Sequence, residues 1–177
     1  MKKFIINILL IISFLIIYFL QANLFTWFKI AGVMPNIFVI FILFIGLYAH
    51  KSMGVTYGII FGILLDLILS KKVGITAIMY GIIGIFGTVL DKNFSKENRL
   101  TVIIMVTIST LIFEIGSYVL GLLVYKASIE VWPFIQILLI ECFYNVLITI
   151  ILYPLIQILG GKIEEEYKGN KILTRYF

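Results

Sequence analysis

Cysteine and histidine are almost missing from this sequence, which holds one of each, Cys142 and His50. A single cysteine excludes an intramolecular disulfide and a CxxC metal site. A single histidine leaves too little for an imidazole metal cluster or for Ser-His and Cys-His catalysis. The sequence also holds no GxSxG, HExxH, P-loop or GxGxxG motif. We therefore expect no metal site, no cofactor and no enzymatic activity.

Charged residues are scarce as well. They make up 13% of the 177 residues, whereas 62% are hydrophobic and the mean hydropathy is +1.15. Soluble domains have about 25% charged residues, so this chain has too few polar side chains to cover a water-soluble surface. Its length leaves no room for a separate catalytic or nucleic-acid-binding domain beside the membrane spans. The net charge of +5 then reflects membrane topology, and no nucleic-acid partner is expected.

Short polar breaks divide the apolar sequence into six segments. The stretch from Val33 to Leu69 would be about 55 Å long as one helix, against a hydrocarbon core of about 30 Å. It must fold back, and the polar residues 50–52 mark the bend. We predict one transmembrane domain over 1–177, an all-α compact bundle of six transmembrane helices. The approximate spans are 4–28, 33–49, 53–69, 73–90, 100–125 and 133–159, with Gly160 and Gly161 opening a charged tail over 160–177.

The distribution of lysine and arginine predicts the orientation of these spans. Six spans place both termini on one side, and ten of the fourteen basic residues fall on that side. Cytoplasmic loops carry the excess of basic residues. We therefore expect a multi-pass membrane protein with both termini in the cytoplasm.

Three glycines recur every four residues in the third span, at Gly54, Gly58 and Gly62, and Asp66 continues the same stripe. Residues four apart share one helix face, so the glycines form a groove in which another helix can pack closely. A carboxylate facing lipid is costly, which indicates that this face meets protein. The sequence leaves open whether the groove packs inside the bundle or against a partner helix.

Polar stripes also follow three other spans, and together they predict an intramembrane polar core. Its members are Asp66, Tyr80, Glu114, Ser117, Glu141 and Asn145. At 1.5 Å per residue the three carboxylates fall in the outer half of the bilayer. They could form a cation, lipid or solute site or a proton relay, or they could simply be neutral or paired with lysines at the outer surface.

The order and spacing of these residues resemble the MreD family of bacterial rod shape-determining membrane proteins. The residues that carry the resemblance are Gly58-x2-Phe61-Gly62-x3-Asp66 and then Gly74-x2-Ala77-x2-Tyr80-x3-Gly84, with Gln21-x2-Leu24-Phe25 and Gly32-x2-Pro35-Asn36 upstream. From Asp91 onward the chain matches that family only in hydropathy. The resemblance therefore gives no support to a role for Glu114 or Glu141.

The resemblance implies a non-enzymatic scaffold of the cell-elongation (rod) complex, which maintains cell shape, in the bacterial cytoplasmic (inner) membrane. Members of this family are thought to bind MreC, a single-span protein with an extracytoplasmic coiled coil. Through MreC they are linked to MreB filaments and to the peptidoglycan synthases, a RodA-type glycosyltransferase and its transpeptidase partner.

A second hypothesis belongs to another class. A six-span chain of this length also resembles the substrate-binding subunit of energy-coupling-factor vitamin transporters, which bind a small molecule near the outer face. Asp66, Glu114 and Glu141 would lie at that depth. The first span, however, lacks the alanine-rich face with which such subunits dock their transmembrane partner.

Overall fold

The computed structural model describes residues 2–49, 51–69, 74–125 and 130–169. The predicted bends at 50–52 and 70–72 and the tail from 170 onward fall wholly or partly outside these residues. Over the described part the chain is an all-α bundle of six helices. They are α1 (Lys2–Phe19, continued by a π-helical turn over Leu20–Leu24 and by Phe25–Trp27), α2 (Ile37–Tyr48), α3 (Lys51–Leu69), α4 (Ile75–Asn93), α5 (Arg99–Tyr125) and α6 (Val131–Lys168).

Five of the helices are long and apolar enough to cross a membrane: Lys3–Trp27, Ser52–Leu69, Ile75–Asn93, Arg99–Val124 and Val131–Lys168. Most of their large apolar side chains point outward, as lipid-facing residues do. The prediction of an all-α membrane bundle is therefore confirmed. The protein is a multi-pass membrane protein.

Helix α2 differs from the other five. It has 12 residues and is about 18 Å long, which is too short to cross the hydrocarbon core alone. It starts four residues later than the predicted span 33–49, because a tight turn precedes it. Ala31 and Gly32 adopt positive φ there, at 49° and 83°, and Ile30 and Val33 pair across them.

All residues of α2 except Phe41 are buried. The other helices therefore surround it, and α2 forms the centre of the apolar core. At the other extreme, only 11% of the most apolar stretch of α1 is buried. Both helices are strongly apolar, so hydrophobicity alone does not explain why α2 is buried and α1 is exposed. The small residues that pack around α2 account for its burial.

Helix α6 is longer than predicted. It continues through Gly160 and Gly161, the expected end of the span, and stops at Lys168. Gly160 is buried, and a Cβ there would lie 2.8 Å from the ring of Tyr48, so it is a packing position rather than a helix end. The extra turns reach α1, where the Tyr167 hydroxyl donates to Asn7 Oδ1 (2.8 Å). The first and last described helices thus meet at the same end of the bundle.

Candidate functional site

The glycine stripe of α3 faces α4. A Cβ on Gly58 would lie 2.7 Å from the carbonyl carbon of Tyr80, and one on Gly62 would lie 2.7 Å from the nitrogen of Ala77. One on Gly54 would lie 2.7 Å from the Cα of Gly46 in α2. Cβ atoms do not come this close to a backbone, so no larger residue fits at these positions without moving a helix.

Two glycines of α4 complete this contact. A Cβ on Gly84 of α4 would lie 2.7 Å from the nitrogen of Val55, and one on Gly87 would lie 2.7 Å from the Leu43 carbonyl oxygen of α2. Helices α2, α3 and α4 are therefore in backbone contact, as small-residue motifs allow in membranes. In the structure, the face with Gly54, Gly58 and Gly62 lies inside the bundle, against α4 and α2.

A polar network surrounds the N-terminus of α2. The backbone N–H of Asn36 donates to Asn145 Oδ1 (2.8 Å), and the Asn145 amide donates to Thr110 Oγ1 (2.9 Å). The Asn36 side-chain oxygen accepts from the Tyr80 hydroxyl (3.1 Å) and from Val39 N (3.4 Å). Asn145 and Thr110 are fully buried. Four helices are thus joined at the point where α2 leaves its first N–H groups without intrahelical partners.

The two predicted glutamates form the next layer of this network. Helices α5 and α6 run antiparallel, with Thr110 opposite Asn145 and, one turn further, Glu114 opposite Glu141. The Glu114 and Glu141 carboxyl groups interact with each other, and that of Glu141 also interacts with the Asn36 side chain. Glu141 is 7% exposed, and its Oε1 has no hydrogen-bond partner among the described residues. The structure therefore brings Tyr80, Glu114, Glu141 and Asn145 together.

Asp66 and Ser117, the two remaining members of the predicted core, have other surroundings. Asp66 is 1% exposed, and its Oδ2 accepts from the backbone N–H of Gly74 (2.7 Å). It therefore ties α3 to the start of α4, where Gly74 adopts a φ of 107°. The buried Ser117 Oγ, one turn beyond Glu114, has no partner within the described ranges.

An ionic cluster lies at the opposite end of α2. Lys96 Nζ donates to the Leu47 carbonyl oxygen (3.0 Å), to Asp91 (2.5 Å) and to Glu164 (2.9 Å). Lys168 Nζ donates to the same carbonyl oxygen and to Asp91, both at 2.6 Å. Lys96 is 6% exposed, and its Nζ lies 4.6 Å from the ring centroid of Tyr48. Two lysines thus satisfy the C-terminus of α2.

The sequence does not reveal the ionic cluster, because its members lie in the polar segment between two predicted spans and in the predicted charged tail. The spacing gives no signal, since Lys96 pairs with Glu164, 68 residues away, and Lys168 pairs with Asp91, 77 residues away. The cause of their burial lies elsewhere in the sequence, in the short length of α2. Asn36 enters the sequence analysis only through the family resemblance, although it connects Tyr80 to Asn145.

Comparison with known proteins identifies the chain at the level of the family. No curated protein and no solved structure gives a significant match. The family model described as rod shape-determining protein MreD matches residues 2–163, which is most of the chain. The matched region includes the glycine stripe, the polar network at the start of α2 and all but the last five residues of α6. The chain therefore belongs to the MreD family of rod shape-determining membrane proteins.

Proposed function

We propose that this protein is a non-enzymatic scaffold of the rod complex, which links an MreC-like single-span protein to the peptidoglycan synthases and, indirectly, to MreB. The family match carries this proposal, because it covers residues 2–163 and the family determines rod shape. The partners themselves are inferred from family membership.

The small and polar residues contact one another inside the bundle, which supports the proposed scaffold function. The glycines of α3 are occupied by α4, and Asn145, Thr110 and Tyr80 bond to one another or to Asn36. These residues hold the bundle in one shape. A partner helix would then bind the membrane-facing surface, since the glycine groove is filled from inside.

We further propose that both termini lie in the cytoplasm. Asn7 and Tyr167 bond to each other, so both helix ends share one side of the bundle. Lys3, Lys96, Arg99 and Lys168 belong to the helix ends and the connection on that side. Such an excess of basic residues is typical of cytoplasmic loops. Cysteine labelling of Ser95→Cys from either side of the membrane, in a Cys142→Ala background, tests this orientation.

Extraction of the tagged chain from its native membrane, followed by mass spectrometry of co-purifying proteins, tests the scaffold. Recovery of an MreC-like coiled-coil protein with wall synthases is the expected result. Recovery of paired ATPases with a coupling subunit would overturn the scaffold in favour of a transporter subunit. Glu114 and Glu141 would then be the first residues to mutate for loss of a solute.

Glycine variants separate folding from partner binding. Gly58→Leu must push α4 away from α3, so we expect loss of monodisperse protein in detergent, and loss of the partner follows from that. Gly121→Leu is the matched control, because a Cβ at Gly121 meets nothing within 4 Å. If Gly58→Leu folds like Gly121→Leu but loses the MreC-like protein alone, the groove binds the partner and α4 does not fill it in the membrane.

A further inference from the structure

A groove of about 520 Å³ opens between α1 and α3. Asn7, Phe14 and Leu15 line one wall, and Tyr57, Ile60 and Phe61 line the other. Phe14 and Phe61 stack at the bottom with ring centroids 4.3 Å apart, and both are buried. The groove therefore has a fixed aromatic floor, while Leu15 and Ile60 at its rim are 57% and 46% exposed.

The length of the groove matches one leaflet of the bilayer. Its lining runs from Asn7 to Leu15 on α1 and from Met53 to Leu64 on α3, which is about 12 Å and about 16 Å of helix. Half of the hydrocarbon core is about 15 Å. The groove thus extends from the end of the bundle that holds the N-terminus to about the middle of the membrane.

Polar groups lie only toward that end of the lining. Asn7 Oδ1 accepts from the Tyr167 hydroxyl, and the Asn7 amide nitrogen carries two donor hydrogens. One turn earlier in α1, the exposed Lys3 places its Nζ 5.5 Å from the centroid of the Tyr167 ring. Thr56 and Tyr57 add hydroxyl groups from α3. The other end of the groove is bounded by Leu15 and Leu64 and is apolar.

We propose that this groove binds a phospholipid with an anionic head group from the leaflet on the side of the N-terminus. The acyl chain lies along the stacked rings, the ester region meets Asn7 and Tyr57, and the phosphate lies near Lys3. Cationic side chains at a membrane surface attract anionic lipids. The amphiphilic order of the groove and its single-leaflet length fit this ligand.

A partner's transmembrane helix fits these features less well. Such a helix needs about 20 apolar residues and is about 10–12 Å across with its side chains. The groove is about half as long as a helix of 20 residues. The residues that line it include no glycine or alanine that would let a second backbone approach. This proposal does not depend on the scaffold function, because it concerns the isolated chain.

Native mass spectrometry of the full chain tests the proposal, using an equimolar mixture of phosphatidylglycerol and phosphatidylcholine with identical acyl chains. Ile60→Trp fills the groove, and its matched control is Ile63→Trp, on the same helix outside the groove and 41% exposed. We expect one retained phosphatidylglycerol per chain in the wild type and in Ile63→Trp. Ile60→Trp should bind it at least tenfold more weakly.

The head-group contact is tested with Lys3→Gln against Lys162→Gln, an exposed lysine of α6. We expect the preference for phosphatidylglycerol to fall about fivefold only in Lys3→Gln. Should Ile60→Trp not be monodisperse, Leu15→Trp fills the groove from the other wall. Equal lipid retention by Ile60→Trp and Ile63→Trp would overturn the proposal. Unchanged lipid binding with loss of a co-purifying single-span protein would overturn it in favour of a protein helix.

Discussion

The two ends of helix α2 are both buried, yet opposite kinds of side chain surround them. At the N-terminus, Asn36, Asn145 and Tyr80 provide amide and hydroxyl groups, with a pair of glutamates one turn further. At the C-terminus, Lys96 and Lys168 both donate to the Leu47 carbonyl oxygen. The first end uses oxygen acceptors and the second uses ammonium donors.

The polarity of the helix explains this difference. A helix leaves N–H groups unpaired at its start and carbonyl groups at its end, and its dipole favours anions at the start and cations at the end. Most membrane helices place these groups at the water surface. Helix α2 is about 18 Å long, so both ends must be satisfied inside the protein. A short central helix therefore requires two different polar clusters at two depths.

Removing the charge of Lys96 should have the largest effect on this arrangement. Lys96→Gln leaves Asp91 and Glu164 near each other with one cation fewer, and removing one partner of a buried ion pair costs about 3–5 kcal/mol. We expect the midpoint of thermal unfolding in detergent to fall by about 10 °C. The measurement is the fraction of monodisperse protein after heating, by size-exclusion chromatography.

The control for this variant is Lys162→Gln, which removes a charge from an exposed site at the same end of the bundle. Its midpoint should stay within about 2 °C of the wild type. Equal midpoints for Lys96→Gln and Lys162→Gln would mean that the C-terminus of α2 does not depend on the lysines.

Breaking the N-terminal network should have a smaller effect. Asn145→Leu removes the acceptor of the Asn36 N–H and the donor to Thr110. An unsatisfied buried group costs about 1–3 kcal/mol, so we expect a midpoint lower by about 5 °C. The control is Asn93→Leu, since Asn93 is exposed and bonds only to Val89 O of its own helix in the described structure. A midpoint for Asn145→Leu equal to that of the control would contradict a stabilising role for the network.

Much of the fold followed from hydropathy and from small residues. The number of helices and the all-α class follow from where polar breaks interrupt apolar runs. The packing of Gly58 on α4 was only partly predictable. The i, i+4 spacing indicates a helix face of small residues, but it does not show which helix packs against that face. The extension of α6 to Lys168 could not be predicted, since glycine is common both inside membrane helices and at helix ends.

Of the two polar clusters, only the one at the N-terminus of α2 could be predicted from the sequence. A polar residue in the middle of an apolar run, such as Asn145 or Glu141, stands out because lipid does not tolerate it. Lys96 lies in a sequence segment that looks solvated, so nothing local distinguishes it from Lys92. The Leu47 carbonyl that Lys96 satisfies lies 49 residues earlier in the chain, so the reason for its burial is not local.

The smallest effect is expected for Glu141→Gln, and it tests the comparison most directly. If the N-terminal end depends on dipoles, an amide can replace the carboxyl group, because its oxygen still accepts from Asn36 and its nitrogen can donate to Glu114. We expect a change within about 1 kcal/mol, or about 3 °C in the midpoint. Glu141→Leu keeps neither contact and should be less stable than Glu141→Gln. If Glu141→Gln instead unfolds as early as Lys96→Gln, the N-terminal end also depends on a net charge, and the contrast between the two ends of α2 is one of sign alone.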